Sequence, residues 1–578
     1  MDKKGLIALI LCGLIMLYFF NTMQPPSQHP DEEGAEKVAE ETFEEEIATG
    51  VEGQKIEKVE KAKKVKKTVQ EDIEPQNYIE VKNDVMKSVW TNEGAALKSV
   101  ILPEFRNPER TQALELLKPS RTDSLPLSMK LTEEGRYQLK TRRYKVVESG
   151  VDRVVFATLL ENGIQITKDI SLQSGKYYFD VAITLQNTTD SEILASYSIT
   201  VANGLYPEID KITGLASIAG IDVGKGKTKL AHTDVKDMPY KNESVGITMA
   251  GATNKYFAAV LKPSVNNRIA AVTSESVKNP DPFYEDDFTV DLHAKRMTIL
   301  PQGERRHDYA FFLGPKNNKA LTQCDGLLAI SDYDFGMTRS ICKVLVKILN
   351  MFYGAIPNYG VSILLLTFLV KLVLFPLTRK SQMSMFRMQQ LQPLIAKLKE
   401  KHKGDKQKVG QEQMKLFKQH GVNPMSGCFP ILLQLPVFFA LFRTLQNSFE
   451  MRQAPFVSWV TDLSEPDKLL HLSFTIPFLG EWLNILPLIM GAASFVQMKL
   501  TPKTTGDDPQ ARMQQKMMQM MPLIFPVILY NFPSGLTLYW TASTMISIGE
   551  QILIRRSVKK LDIYYKGKRV IDAKAKVK

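Results

Sequence analysis

The side chain whose type and position most demand an explanation is Lys371. It stands inside the apolar run GVSILLLTFLVKLVLFP, residues 360–376. A basic residue at the middle of a bilayer costs about 2.5–3.5 kcal/mol, so it is a functional-site candidate wherever it occurs. Thr367 lies four residues earlier and shares its helical face. Further polar residues interrupt the later apolar segments: Gln434 in CFPILLQLPVFF, Gln497 in AASFVQMKL, and Thr541 and Ser543 after Tyr539-Trp540. Two readings stand side by side. Lys371 is roughly 10 Å along a helix from Thr378, near enough for its stem to carry the ammonium to the headgroups. Alternatively it lines a cavity that admits water, together with the other polar residues, each of which also fits a single interhelical hydrogen bond. The chemistry of such a cavity is electrostatic: a fixed positive charge that holds polar or acidic groups and makes no bond.

Covalent chemistry finds no support in the sequence. Gly220 and Gly226-Lys227-Thr228 resemble a phosphate loop, but five residues separate the glycines where the motif wants four, and no strand-to-helix switch surrounds them. His29, His232, His293 and His307 form no metal-binding spacing. Cys12, Cys324, Cys342 and Cys428 show no CxxC and no regular interval, which argues against a disulfide framework or zinc site. No enzyme activity, metal or cofactor is expected. The net charge of +12 is unevenly spread, with acids crowded at 31–46 and bases at 379–418 and 555–578. The 24 methionines, concentrated after residue 380, suit adaptable apolar surfaces.

The elements that must position Lys371 follow from the pattern along the chain. Lys3 and Lys4 precede an apolar run at 5–20 without a small-x-small cleavage site, so residues 1–23 read as an uncleaved anchor starting in the cytoplasm. Residues 24–75, rich in Pro, Glu and Lys, read as a disordered linker. From about Tyr78 to Gly314, within a domain taken as 76–331, the period becomes two. Val154, Phe156 and Thr158 alternate, then Ile164, Ile166 and Lys168 after the turn Glu161-Asn162-Gly163, then Tyr177, Phe179, Val181, Ile183 and Leu185. This predicts a large antiparallel β-sandwich outside the cytoplasm. In 332–354, Ile341, Val344, Leu345, Ile348 and Phe352 recur at helical spacing among Arg339, Lys343 and Lys347, predicting an amphipathic helix along the membrane surface or a helix of the soluble domain.

A core at 355–556 then carries apolar segments at 360–377, 428–447, 483–500, 517–532 and 536–554, each near the length a spanning helix needs. The basic loop 378–427 is assigned to the cytoplasm and the acidic loop 450–481 to the other side, which returns the basic tail 557–578 to the cytoplasm. Within 378–427, Met383, Phe386, Leu391, Leu394 and Leu398 mark one helix, His402-Lys403-Gly404-Asp405 a break, and Val409, Leu416 and Phe417 a second helix. The lysines of this helical hairpin, among them Lys397, Lys399, Lys401 and Lys403, suit solubility, lipid headgroups, ribosomal RNA or an incoming chain. The expected fold is therefore a multi-pass α-helical membrane protein, an N-terminal anchor plus a five-helix core, with a large extracytoplasmic antiparallel β-sandwich domain.

Four motifs in order, TFLVKLVLFPLT (367–378), NPMSGCFPILLQLPVFFALF (423–442), RQAPF (452–456) and FPSGLTLYW (532–540), resemble the YidC/Oxa1/Alb3 family of membrane protein insertases. The anchor and external sandwich are similar to its Gram-negative bacterial form. The resemblance implies an inner-membrane insertase and chaperone that works without ATP, alone or beside the Sec translocon. It implies a positively charged groove, open to cytoplasm and lipid and closed externally, that receives the hydrophilic part of a nascent membrane protein. Onto this sequence the groove charge falls on Lys371, with Thr367, Gln497 and Trp540 as lining, Tyr539 nearby and Gln434 as a weaker assignment. The helices after Lys371 and around 428–442 would form the apolar exit into lipid. Implied partners are nascent membrane proteins, lipids and the ribosome through hairpin and tail, with the monomer as the working unit. The family usually has arginine where this chain has Lys371; a lysine in a partly dry site can lose its proton, which would make attraction for acidic tails weaker or pH-dependent. Two rival functions remain, a transporter or ion channel, which would show a path to both faces and usually an inverted repeat, and a scaffold acting through the sandwich.

Overall fold

The computed structural model describes residues 75–117, 124–131, 139–205, 216–224, 228–234, 237–244, 246–264, 267, 269–277, 287–335, 339–402, 405–422, 429–477, 479–501, 524–557, 564–565 and 568–569. The expected anchor and linker, Lys403, Cys428, residues 517–523 of segment 517–532 and most of the tail lie outside them.

Alternating side chains between residues 78 and 315 fold into antiparallel sheets. Among the described residues the largest has nine strands, in the order Thr228–Asp234, Ala216–Asp222, Ile247–Thr253, Phe257–Pro263, Glu304–Pro315, Tyr178–Asn187, Ile164–Leu172, Arg153–Leu159 and Lys145–Ser149. Ile164–Leu172 buries every second residue, and its register pairs Ile166 with Leu185 and Ile170 with Val181. The turn before it needs the left-handed backbone of Gly163, at φ +81°. A five-stranded sheet lies against this one. Its strand Tyr197–Asn203 is buried at all seven positions and packs on Ile247–Thr253 and Phe257–Pro263. A four-stranded meander from Tyr78 to Leu117 closes one end, where Trp90 meets Phe179 edge-on at 5.3 Å. Gly220 sits inside the strand Ala216–Asp222, which pairs with Thr228–Asp234, so it belongs to a hairpin strand and not to a phosphate loop; Gly226 and Lys227 lie outside the described residues.

One inward position in this pattern is a lysine. Lys168 is fully buried, and its Nζ donates to the carbonyls of Gly94 (2.8 Å), Ala95 (3.1 Å) and Leu127 (2.7 Å). The Tyr144 ring faces it at 5.3 Å. All three acceptors belong to residues with positive φ, at +71°, +45° and +63°, so the ammonium fastens two irregular loops to the nine-stranded sheet.

Among the described residues the second half contains the helices α1 (Arg339–Ala355), α2 (Tyr359–Gln390), α3 (Gln392–Lys401), α4 (Lys406–Gln419), α5 (Phe429–Asn447), α6 (Leu486–Leu500) and α7 (Ser534–Ser557), with a further helical stretch at 524–528. Ile363 and Leu366 of α2 pack with Cys342 and Leu349 of α1, Leu441 and Leu445 of α5, and Leu536 and Tyr539 of α7. Among the described residues, α2 is the helix both long and apolar enough to cross a membrane; α6 is apolar but shorter.

Several expectations change in detail. The buried side of α1 is Cys342, Leu345, Val346 and Leu349, whereas Ile341 and Val344 of the expected stripe are exposed beside Met351 and Tyr353. The helix is apolar on two sides, and a single stripe could not reveal which side meets protein. The span at 360–377 does not stop there: α2 runs through Pro376 for 32 residues, so the first arm of the expected hairpin continues it. The chain turns only at Leu391, because Pro393 lacks the N–H to bond Gln389 and opens α3 instead. Leu391, Leu394 and Ile395 then pack on Phe417 and Val422 across the α3–α4 pair. Segment 483–500 begins its helix only at Leu486, because Leu483 ends a two-stranded ribbon, Leu470–Ile476 with Gly480–Leu483, in the loop expected to be a plain connector.

The start of α2 is fixed by close approach. Asn358 caps it, accepting from the N–H of Val361 at 3.1 Å and donating to the carbonyl of Phe456 at 2.9 Å. A Cβ on Gly360 would fall 2.0 Å from the Phe456 ring. Gly360→Ala should therefore destabilise this end of the helical half by about 1–3 kcal/mol, the usual cost of overpacking, read as a lower thermal midpoint in detergent.

Candidate substrate groove

Lys371 is 8% exposed and its Nζ donates to Ser547 Oγ of α7 at 2.8 Å. The ammonium points across the α2–α7 contact. Around it on α2, Phe368, Leu372, Val373 and Leu377 are exposed, so the apolar surface of the helix and its cation face different ways. Ser547 belongs to a row of small polar residues, Ser534, Thr537, Thr541, Ser543 and Thr544, that α7 buries along its length. Three residues beyond Ser547 is Glu550, 7% exposed and within electrostatic reach of Lys371. Its Oε2 is buried and has no hydrogen-bond partner among the described residues. The cation of α2 therefore has an acidic neighbour, which the sequence reading did not identify. The signal was present: Ser543, Ser547 and Glu550 are spaced four and three apart, one helical face, inside a segment judged by its average apolarity.

The remaining candidates separate into groups. Thr367 is buried, and its hydroxyl donates to the Ile363 carbonyl of its own helix at 2.6 Å. Thr541 turns back to Thr537 in the same way at 2.7 Å. Tyr539 is buried in the helical core. Trp540 is half-buried, edge-on to Phe438 of α5 at 5.0 Å and tilted against Phe525 at 4.9 Å. Seven residues, two turns, separate Trp540 from Ser547, so the indole and the Lys371 contact share one side of α7. Gln497 is half-buried on α6, which packs against α7. Gln434 lies on α5, with its side chain outside the described residues. Lys397 and Lys401 are exposed on α3 and Lys399 is half-buried there. Among the described residues no cluster of His, Cys, Asp or Glu is arranged to hold a metal ion.

The outer end of α7 is tied to the sandwich. Ser534 Oγ donates to the carbonyl of Asp462 at 2.7 Å, and Asp462 Oδ2 receives Arg110 of the sandwich at 3.0 Å. Burial pushes the Asp462 carboxyl above the usual carboxylate range, with hydrogen bonds from Ser464 and the Arg110 charge acting against that. Beside it Phe449 inserts edge-on between Phe105 and Phe257, at 5.3 and 5.5 Å. The Arg452 guanidinium covers Phe257 at 5.1 Å and donates to the Arg106 carbonyl at 2.7 Å. Arg110→Ala should raise hydrogen exchange across 448–467 while the sandwich strands keep their protection, because it leaves Asp462 buried without its cation.

Both halves of the chain match known families. Residues 78–348 match the model of the YidC periplasmic domain and residues 351–561 that of the 60Kd inner membrane protein. The membrane protein insertase YidC of Geotalea daltonii is 30% identical over 572 residues, covering 96% of this chain and 100% of that one. The YidC of Syntrophobacter fumaroxidans is also 30% identical, over 580 residues with the same coverage. A crystal structure of an active YidC insertase with its first transmembrane domain resolved is 20% identical and covers 83% of this chain and 94% of that one, at a TM-score of 0.34. The β-rich half is thus a periplasmic domain and the helical half an inner-membrane core, and the relatives are insertases, not enzymes. With near-full coverage of its relatives and both halves matched in order, the chain belongs to the YidC family of membrane protein insertases.

Proposed function

We propose that the α2–α7 contact is the receiving site of the insertase, and that Lys371 and Glu550 form a resting pair which a client's acidic residue opens. The observation that carries this is a lysine in a membrane-length helix, buried on Ser547 beside a carboxylate with an unpartnered oxygen. A polar tail crossing ~30 Å of hydrocarbon has no partners for its backbone. An acidic side chain on the tail exchanges with Glu550 for the ammonium, which holds the tail partway across and shortens the dry path. The membrane potential, about 2.3 kcal/mol per charge per 100 mV, then favours outward movement of acidic tails. The client's apolar segment leaves along Phe368, Leu372 and Val373 into lipid, and no ATP is consumed. Lysine in place of the family's usual arginine suits a site where one serine and one carboxylate converge, because it brings a point charge instead of a five-donor fork.

The same reading makes the chain multi-pass, with an N-terminal anchor and five core spans, both termini and the α3–α4 hairpin in the cytoplasm, and the exposed Ile341, Val344 and Met351 of α1 in the membrane interface. The hairpin lysines and tail meet the ribosome or lipid headgroups, and the monomer works alone or beside the Sec translocon.

Photo-crosslinkers placed at Trp540 and Val373 test the route with a stalled nascent client. The client's polar tail should react from Trp540 and its apolar segment from Val373. No tail adduct at Trp540, or the same segment at both positions, would overturn it. Ion flux through liposomes carrying the protein would favour the channel reading instead.

A further inference from the structure

The two-stranded ribbon in the loop before α6 has an apolar face that no described residue covers. Leu470–Ile476 reads LHLSFTI, in which Leu470, Leu472, Phe474 and Ile476 alternate with His471, Ser473 and Thr475; the pairing with Gly480–Leu483 is irregular between His471 and Ile476, and Leu472 and Ile476 are half-buried. The polar side is tied together: Thr475 Oγ1 donates to Glu481 at 3.0 Å, Glu481 lies 3.6 Å from His471, and the His471 and Trp482 rings meet at 4.8 Å. On the apolar side Leu470 is 55% and Phe474 63% exposed, and neither belongs to a buried cluster of the described residues. A lone two-stranded ribbon is marginal in water even without such a face.

What covers it follows from where its base is held. Leu469 N–H donates to the Leu483 carbonyl at 2.9 Å and Lys468 N–H to Asn484 Oδ1 at 3.0 Å. Asp467 Oδ2 accepts from the N–H groups of Ile485 (2.8 Å) and Leu486 (3.0 Å), capping α6, and from Trp459 Nε1 at 3.1 Å. Asn484 is locked to Tyr530 by two bonds, of 3.0 and 2.9 Å. The ribbon is thus fixed at the first turn of an apolar helix whose exposed large apolar residues are Leu488, Phe495 and Val496. With α6 read as a spanning helix, as proposed above, the lipid that covers Leu488 continues onto the ribbon.

We propose that this ribbon is a lipid-binding element that lies on the outer leaflet, its Leu470, Leu472, Phe474 and Ile476 face sunk to the acyl boundary and its His471–Glu481 face in water. Trp482, beside His471, sits at headgroup level, where amphipathic rings collect. The ribbon holds the outer end of α6, and through Asn484 and Tyr530 the segment before α7, at a set depth.

The test places an environment-sensitive fluorophore at Leu470→Cys, Ser473→Cys, Phe474→Cys or Val496→Cys, one at a time, in a cysteine-free parent that retains wild-type insertion. The full chain is reconstituted in phosphatidylcholine vesicles with and without brominated acyl chains. Labels at 470 and 474 should be quenched by bromolipid several-fold more than the label at 473, with 496 as the mid-membrane reference. Quenching at 496 but not at 470 and 474 overturns the ribbon's membrane contact and leaves the spanning helix standing. Shielding of 474 from aqueous iodide without bromolipid quenching overturns it in favour of a protein partner or a second copy. Quenching at 470 and 474 but not at 496 supports the ribbon and sinks the span.

Discussion

Lys371→Glu will abolish insertion of a client with an acidic tail, and adding Glu550→Lys will restore a substantial part of it. The single change sets two carboxyl groups against each other on a buried contact between α2 and α7. Breaking a buried pair costs roughly 3–5 kcal/mol, and here the loss falls on the site that must attract the tail. Lys371→Ala leaves Glu550 unopposed and should be nearly as damaging, whereas Lys371→Arg keeps the charge and should keep much of the activity. Glu550→Gln separates the two roles. It frees the ammonium from its resting partner, so acidic tails should be captured more readily and released more slowly, which a pulse-chase insertion assay resolves into capture and release. Equal insertion by the wild type and all four single variants would remove the charge pair from the mechanism. Failure of the double exchange with intact folding would mean that the two groups do not act as a pair.

Lys168→Met should cost the periplasmic domain about 2–5 kcal/mol, because three buried carbonyls lose their donor and each orphaned group costs about 1–3 kcal/mol, partly offset by no longer burying a charge. Lys168 also sets a pH dependence. Burial pushes its value down to about 7, whereas in the unfolded chain it stands near ~10.4. Between those values the unfolded chain binds the extra proton, so stability rises with pH across the window and is flat below about 7. The dependence should vanish in Lys168→Met. Hydrogen exchange of strand Ile164–Leu172 in the full chain, followed from pH 6 to ~10, measures both effects. An unchanged slope in the variant would assign the dependence elsewhere.

The periplasmic domain was legible because alternation is a local signal and a sheet with one buried face enforces it. Ile164, Ile166, Phe179 and Val181 all stand in the alternating sets, and all are buried. Lys168 stands in the same sets, but alternation says nothing of what an inward lysine meets. Its acceptors lie 41 to 74 residues away. The candidate site was half legible for the same reason. Lys371 and Thr367 stand out within one segment, whereas Ser547, 176 residues on, is tied to Lys371 only by the packing of α2 on α7. Glu550 was hidden in another way: a window average dilutes one acid among many apolar neighbours. The outer ribbon is the reverse case. Its period of two was in plain view at 470–476, in a stretch assigned to a connector between spans.

The length of α2 has a mechanical consequence. Its 32 residues reach about 48 Å, against ~30 Å of hydrocarbon, so with α2 read as a span, as proposed above, an arm of several turns would project past the bilayer and end in the α3–α4 pair. Pro376 removes one rung of the backbone ladder between that arm and Lys371, which makes it the natural fulcrum. On the proposed reading, a load on the projecting pair would act through Pro376, five residues or a little over one turn from Lys371, on the contact that holds the ammonium.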